Sequence, residues 1–154
     1  MKKIGLVTVL YNCPDVLPDF FRCLARQTYT NYILYVVDNS TNDESYLLSK
    51  ELSENYQLNN VVFIKNKQNI GVAAANNQGI YAAINAECDY VLLLNNDIEF
   101  DNKFLLEELV NKSVKNNELI IQAYEQTIKI EREMTEQKAI TSEQKEVVVT
   151  KYKT

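Results

Sequence analysis

Four short runs of aliphatic and β-branched residues constrain this chain most. Each is cut off by a cluster of Asn, Asp, Ser or Gly, and each is separated from the next by a segment with helical spacing. Residues 4–10 are one such run, closed by Asn12-Cys13-Pro14, and read as a strand buried on both faces. Val16, Phe20, Cys23, Leu24 and Gln27 then recur at helical intervals, so 15–27 is expected as a helix packed over that strand. A second strand over 33–37 runs into Asp38-Asn39-Ser40-Thr41-Asn42-Asp43, a dense turn signal. A helix follows over 44–55, with Leu47, Leu48 and Leu52 on its apolar stripe. The third strand, 61–64, leads through a loop over 65–71 into an alanine-rich helix over 72–86, interrupted by Asn76-Asn77 and Gly79. The fourth, 90–94, is uniformly apolar and runs directly into Asn95-Asn96-Asp97.

Strands alternating with helices at this spacing are βαβ units, whose right-handed crossovers make the sheet mostly parallel, with helices on both faces. The expected class is therefore α/β, doubly wound. In such sheets ligands gather at the carboxyl ends of the strands, so Tyr11-Asn12, Asp38-Asn39, the loop before Gly71 and 95–97 should converge on one edge. Beyond Asp97 the character changes. An amphipathic helix is expected over 103–115 and another over 118–138, with Leu119, Ala123, Ile130 and Met134 on one side; 146–153 reads as a late edge strand or a frayed tail. Neither a repeat nor a Gly/Ser/Pro linker interrupts the chain. The natural division is an α/β domain over 1–117 and a helical C-terminal extension over 118–154.

Composition narrows the chemistry. At 154 residues one domain is expected, and with no histidine there is no imidazole base, no Ser-His or Cys-His relay and no Cys/His zinc site. Chemistry must rest on carboxylates, amides, hydroxyls, Tyr, Lys, Arg or a metal held by oxygen. A net charge of −5 disfavours a nucleic-acid partner, which needs a basic face. Three cysteines without C-x-x-C spacing fit structural thiols in a reducing cytosol. With no signal-peptide pattern and no stretch near the ~20 apolar residues of a membrane span, a soluble, cytoplasmic protein is expected.

Taken residue by residue, Asp38 is either a turn or N-cap aspartate or an acceptor for a base imide or ribose hydroxyl. Asp97, where a uniformly apolar strand emerges, is either a structural cap or a carboxylate for a hard divalent cation bridging two phosphates. Asn95, two residues earlier, would point to the same side. Neither G-x-G-x-x-G nor G-x-x-x-x-G-K-[ST] is present, which disfavours a dinucleotide oxidoreductase and a P-loop NTPase. A phospho-acceptor receiver would need acidic residues where Asn12 and Lys65 stand.

The ordered set Thr8-Val9-Leu10-Tyr11-Asn12, Val36-Val37-Asp38-Asn39-Ser40-Thr41, 69–80 (NIGVAAANNQGI) and Leu92-Leu93-Leu94-Asn95-Asn96-Asp97 resembles the family 2 glycosyltransferases, particularly their rhamnosyltransferase-like branch. The resemblance covers roughly 2–109. It implies the nucleotide-diphospho-sugar-binding half of the A-type glycosyltransferase fold, taking a UDP- or dTDP-sugar donor and a saccharide acceptor, with inversion. It further implies that Thr8 and Tyr11 line the base pocket, Asp38 accepts the base N3 proton and Asn39 helps hold the turn. Gly71 would let the backbone approach the nucleotide, while Asn76 and Asn77 would face the ribose or diphosphate from the positive helix end. Asn95-Asn96-Asp97 stands in place of the family's D-x-D, so Asp97 would bind Mg or Mn on the diphosphate; Asn95 replaces the first aspartate and lowers the charge of the site.

Inverting transfer also needs a carboxylate base, which family members commonly carry in a Glu-Asp pair well beyond the metal motif. No Glu-Asp follows Asp97, and the later glutamates lie among lysines, so no catalytic residue is assigned. The expectation is a chain lacking part or all of the acceptor half, binding donor but transferring sugar poorly. The helices after 103 would then cover a sheet edge, with pairing to a second copy of the chain as one way to do so.

Overall fold

The computed structural model describes residues 1–115; the extension over 118–154, with its expected helix and edge strand, lies outside the described residues. The elements are β1 (Ile4–Leu10), a 3-10 turn at Pro14–Val16, α1 (Leu17–Ala25), β2 (Tyr32–Asp38), α2 (Glu44–Asn55), β3 (Val61–Lys65), α3 (Val72–Asn85), β4 (Tyr90–Leu93) and α4 (Leu105–Lys115). The strands form one sheet in the order β3-β2-β1-β4, and every neighbouring pair is parallel. The doubly wound parallel layer expected from the strand–helix alternation is the one observed.

Period-2 alternation sorts the strand residues between two cores. Ile4, Leu6 and Leu10 of β1, with Leu34 and Val36 of β2, pack against Phe20, Phe21 and Leu24 of α1 and Leu106 and Val110 of α4. On the opposite face Val7 and Tyr35 meet Ala83 of α3. Thr8 interrupts the first of these rows with a hydroxyl, and it is fully buried.

Helix α3 lies unusually close to the sheet because two glycines leave room for it. A Cβ on Gly79 would fall 2.3 Å from Val7 Cγ1, and one on Gly5 would fall 2.4 Å from Ala83 Cβ. The glycine that looks like an interruption in sequence is therefore the point at which the helix seats on β1.

Two local expectations are corrected. The helix foreseen from residue 15 begins in its α-form at Leu17, because Pro18, which lacks an N–H and has a fixed φ, suits the first helical turn; the residues ahead of it form the 3-10 turn. The fourth strand, uniformly apolar and so read as emerging from a buried position, is buried on one face only: Tyr90 and Leu92 pack against the core, but among the described residues β4 lies at the sheet edge, and Val91 and Leu93 are exposed at 37% and 51%. An apolar run gives no count of neighbouring strands, and among the described strands β1 alone flanks it.

Candidate functional site

Asp38 is the last residue of β2, directly across from Leu10 of β1, and its side chain has no solvent exposure. Its Oδ1 accepts a hydrogen bond from the Ser40 backbone N–H at 3.1 Å. Its Oδ2 is buried without a partner, and so is Oγ1 of Thr8. The register pairs Thr8 with Val36 and Leu10 with Asp38, which puts both orphaned oxygens on one face of two adjacent strands. Each buried polar atom left unpaired costs about 1–3 kcal/mol, and native folds rarely retain such atoms without a use.

Tyr11, 51% exposed, follows immediately after β1 at the rim of this place. Asn12 is held in the left-handed region (φ +46°), where Asn is tolerated. Its Oδ1 accepts from the Thr41 N–H (3.0 Å) and Oγ1 (3.2 Å), and its own N–H donates to Ser40 Oγ at 3.0 Å. These bonds clip the β1 loop onto the β2 loop, so Tyr11 is presented from a tethered turn.

Asn39 is almost fully buried and does more than hold its own turn. Its N–H donates to Leu10 O (2.9 Å), its Nδ2 to Asn69 Oδ1 (3.1 Å) and Gly71 O (3.2 Å), and its Oδ1 accepts from Asn66 Nδ2 (2.9 Å). Gly71 N–H in turn donates to Asn69 Oδ1 at 2.8 Å. With φ +85° and ψ 151°, Gly71 occupies backbone space that is nearly glycine-only, and it opens α3 without any side-chain cap. The first-turn N–H groups of α3, at the positive end of its dipole, thus lack the cap that Ser, Thr or Asp would provide. Asn66 was missed in the sequence, and Asn69 and Gln78 stood in the 69–80 motif without a role of their own; the density of amides over 66–78 was the available signal.

At the other end of the row, the run 93–97 forms a cleft of about 260 Å³ with Val9 and Asn76. Asn96 donates through Nδ2 to Val9 O at 2.6 Å, which occupies the middle amide structurally, while its neighbours Asn95 and Asp97 are exposed. Asn76 lines the cleft, whereas Asn77 is exposed and does not; one step along a helix turns a side chain by about 100°. Asp97 lies in an exposed turn past the edge strand, rather than at the rigid mouth of a buried one as the apolar run suggested. The segment after it is tied to α1 by the exposed ion pairs Arg22–Glu99 (3.9 Å) and Arg26–Asp101 (3.6 Å).

Among the described residues no three His, Cys, Asp or Glu side chains converge as a metal cage. A Mg²⁺ or Mn²⁺ ion shared with a diphosphate needs only one or two protein carboxylates, and Asp97 beside Asn95 supplies one carboxylate and one amide oxygen. The donor set fits an ion that arrives with its phosphates and does not fit a resident ion.

This β3-β2-β1-β4 parallel layer, with its polar groups aligned along the strand ends, is shared with glycosyltransferases of the A-type fold. Residues 6–153 match glycosyl transferase family 2, and the chain belongs to that family. The match runs well beyond residue 109, where the sequence resemblance stopped.

Among curated proteins the chain is similar to the amylovoran biosynthesis glycosyltransferase AmsB of Erwinia amylovora. The two are 29% identical over 111 residues, covering 71% of this chain and 36% of AmsB. The chain thus spans about a third of the length of that relative. Its fold is similar to that of mannosyltransferase PcManGT from Pyrobaculum calidifontis, solved in complex with GDP-Man and Mn²⁺, at 17% identity, TM-score 0.60 and coverage of 68% of this chain and 30% of that one. It is also similar to S. aureus TarS 1–349, at 22% identity, TM-score 0.60 and coverage of 73% of this chain and 32% of that one.

Proposed function

We propose that this chain is the donor-binding part of a glycosyltransferase that moves a sugar from a UDP- or dTDP-sugar to a saccharide hydroxyl with inversion. The observation that carries the reading is Asp38, fully buried, with one carboxylate oxygen satisfied and the other without a partner beside the orphaned Thr8 hydroxyl. A carboxylate in that condition is short of one donor. Uracil and thymine present a single imide N–H at N3. Guanine presents two adjacent N–H donors that favour a carboxylate with both oxygens free, and Ser40 has taken one here. The pyrimidine is therefore the better match, although PcManGT was solved with GDP-Man.

In this reading the strand-end loops open to admit the base to the enclosed Asp38 and Thr8; Asp38 then accepts from N3–H, Thr8 satisfies its hydroxyl on the same base, and the Tyr11 ring packs on the base from the rim. Asn39 holds the Gly71 loop, and Gly71 admits the nucleotide close to the backbone. The uncapped start of α3, with Asn76 on the cleft side, faces the diphosphate, where helix-end N–H groups favour an anion. Asn77, on the exposed side of α3, keeps at most an outer contact with the ribose. Asp97 and Asn95 would hold Mg²⁺ or Mn²⁺, which when bound offsets charge on the leaving diphosphate. The sugar extends from there to the acceptor, whose hydroxyl must lose a proton to a base that is not assigned.

The test is calorimetric titration of the 154-residue chain with UDP, dTDP and GDP, with and without Mn²⁺. Metal-dependent binding of UDP or dTDP at least tenfold tighter than GDP is expected. Absence of any nucleotide binding, or a preference for GDP, overturns the reading.

A further inference from the structure

The amide network does not stop at Asn39. Asn66 and Gln78 form a reciprocal pair: Asn66 Nδ2 donates to Gln78 Oε1 and Gln78 Nε2 donates to Asn66 Oδ1, each at 2.9 Å. The same Asn66 Nδ2 reaches Asn39 Oδ1 at 2.9 Å, and the Asn66 backbone N–H donates to Asp38 O at 3.0 Å. Asn66 is thus fastened at once to the strand end that carries the orphaned carboxylate and to a residue two turns into α3. Gln78 lies about 10 Å along the helix from Gly71, which Asn39 and Asn69 hold separately.

Helix α3 is consequently fixed at two points along one flank, and its Gly79 face rests on Val7. Two fixed points on a flank stop both a slide along the axis and a rotation about it, which one point would not. The groups whose positions this sets are the uncapped first turn and Asn76, which lines the cleft with Asp97 on the other flank. Asn66 and Gln78 themselves are absent from the lining of that cleft. Amide–amide bonds between half-buried side chains add little net stability, but a fully satisfied network sets a single geometry.

We infer that Asn66 and Gln78 are positioning residues for the diphosphate end of the nucleotide, registering α3 against the strand end that carries Asp38. The inference rests on the nucleotide reading above. The base is held by β1 and β2 groups alone, so loosening the latch should weaken what α3 contributes and spare what Asp38 contributes.

The experiment compares uridine and UDP, both with Mn²⁺, on the 154-residue chain carrying Gln78→Ala, Asn66→Ala or both, with melting followed by circular dichroism. UDP affinity is expected to fall about fivefold to thirtyfold while uridine affinity stays within about twofold. The double variant should be no worse than the poorer single one, because the two residues act through each other. Gln78→Leu, which keeps the side-chain bulk but neither amide bond, carries the same comparison if the alanine variants melt below the assay temperature. Equal losses for uridine and UDP would show general loosening and overturn the inference, as would unchanged UDP binding in a folded variant. A parent chain that binds neither ligand removes the nucleotide reading and this inference together.

Discussion

Replacing Asp38 by Asn separates binding from stability. The substitution keeps the volume and the Oδ1 acceptor for the Ser40 N–H, and it exchanges the unpartnered Oδ2 for an NH₂ group. Toward a base imide, an acceptor becomes a donor facing a donor. Hydrogen bonds to charged groups are worth about 1.5–3 kcal/mol, so UDP affinity should fall about 10- to 150-fold. Toward folding the sign reverses. The parent buries a carboxylate with one oxygen unsatisfied, the variant buries a neutral amide, and neutral groups cost less to desolvate. A gain of about 1 kcal/mol is expected, which for a chain of this size raises Tm by about 2–4 °C. Binding loss with a stability gain is what a site residue held at the expense of the fold should give. Calorimetry with UDP and a thermal melt at pH 7 read the two quantities. UDP affinity within twofold of the parent would refute Asp38 as the base acceptor, and a fall in Tm of several degrees would refute the view that its carboxylate strains the fold.

Asp97→Ala should abolish the Mn²⁺-dependent part of UDP binding and leave uridine binding unchanged; UDP binding that is indifferent to a chelator in the parent would dismiss the metal role. Gly79→Ala places a Cβ 2.3 Å from Val7 Cγ1, so overpacking should cost about 1–3 kcal/mol, offset by up to about 1 from better helix propensity, and Tm should drop. An unchanged melt would mean that α3 is not seated as described. Asp89 accepts from Lys2 Nζ and from the Lys3 N–H, both at 2.7 Å, and these bonds hold its pKa below the ordinary 3.8. A carboxylate whose folded pKa is depressed stabilises the fold above its unfolded value and loses that contribution as pH falls through the folded one. Asp89→Asn should therefore flatten the acid limb of Tm against pH below about 3.8 and leave the neutral region nearly parallel to the parent; parallel acid limbs would contradict it.

Nearly the whole element order was legible from one strand of text, because the determinants are local. The apolar, β-branched run at 4–10, the turn clusters after β1 and β2 and the helical spacing over 44–55 each express a preference that the chain carries in any context. The α2 bounds came out as expected, and β2 differs by one residue at each end, the last of these being Asp38 itself. Tyr11, Asp38, Asn95 and Asp97 were singled out in the sequence because strand ends in a parallel sheet share one edge, whereas Thr8 and Asn76 entered through the family resemblance.

Only the tertiary structure decided which polar groups are spent and which are left over. Asn95, Asn96 and Asp97 look alike in sequence, yet Asn96 is consumed by Val9 O while its neighbours remain exposed. Asn39, Asn66 and Gln78 are 27 and 12 residues apart along the chain and become one network. The strength of Asp38 as a candidate comes from its unpartnered Oδ2, which no local pattern records. The exposure of β4 likewise follows from its place beside β1 alone among the described strands. Local patterning fixes what a residue prefers, but hydrogen-bond satisfaction depends on every neighbour the fold brings within about 3 Å, and those neighbours are mostly distant in sequence.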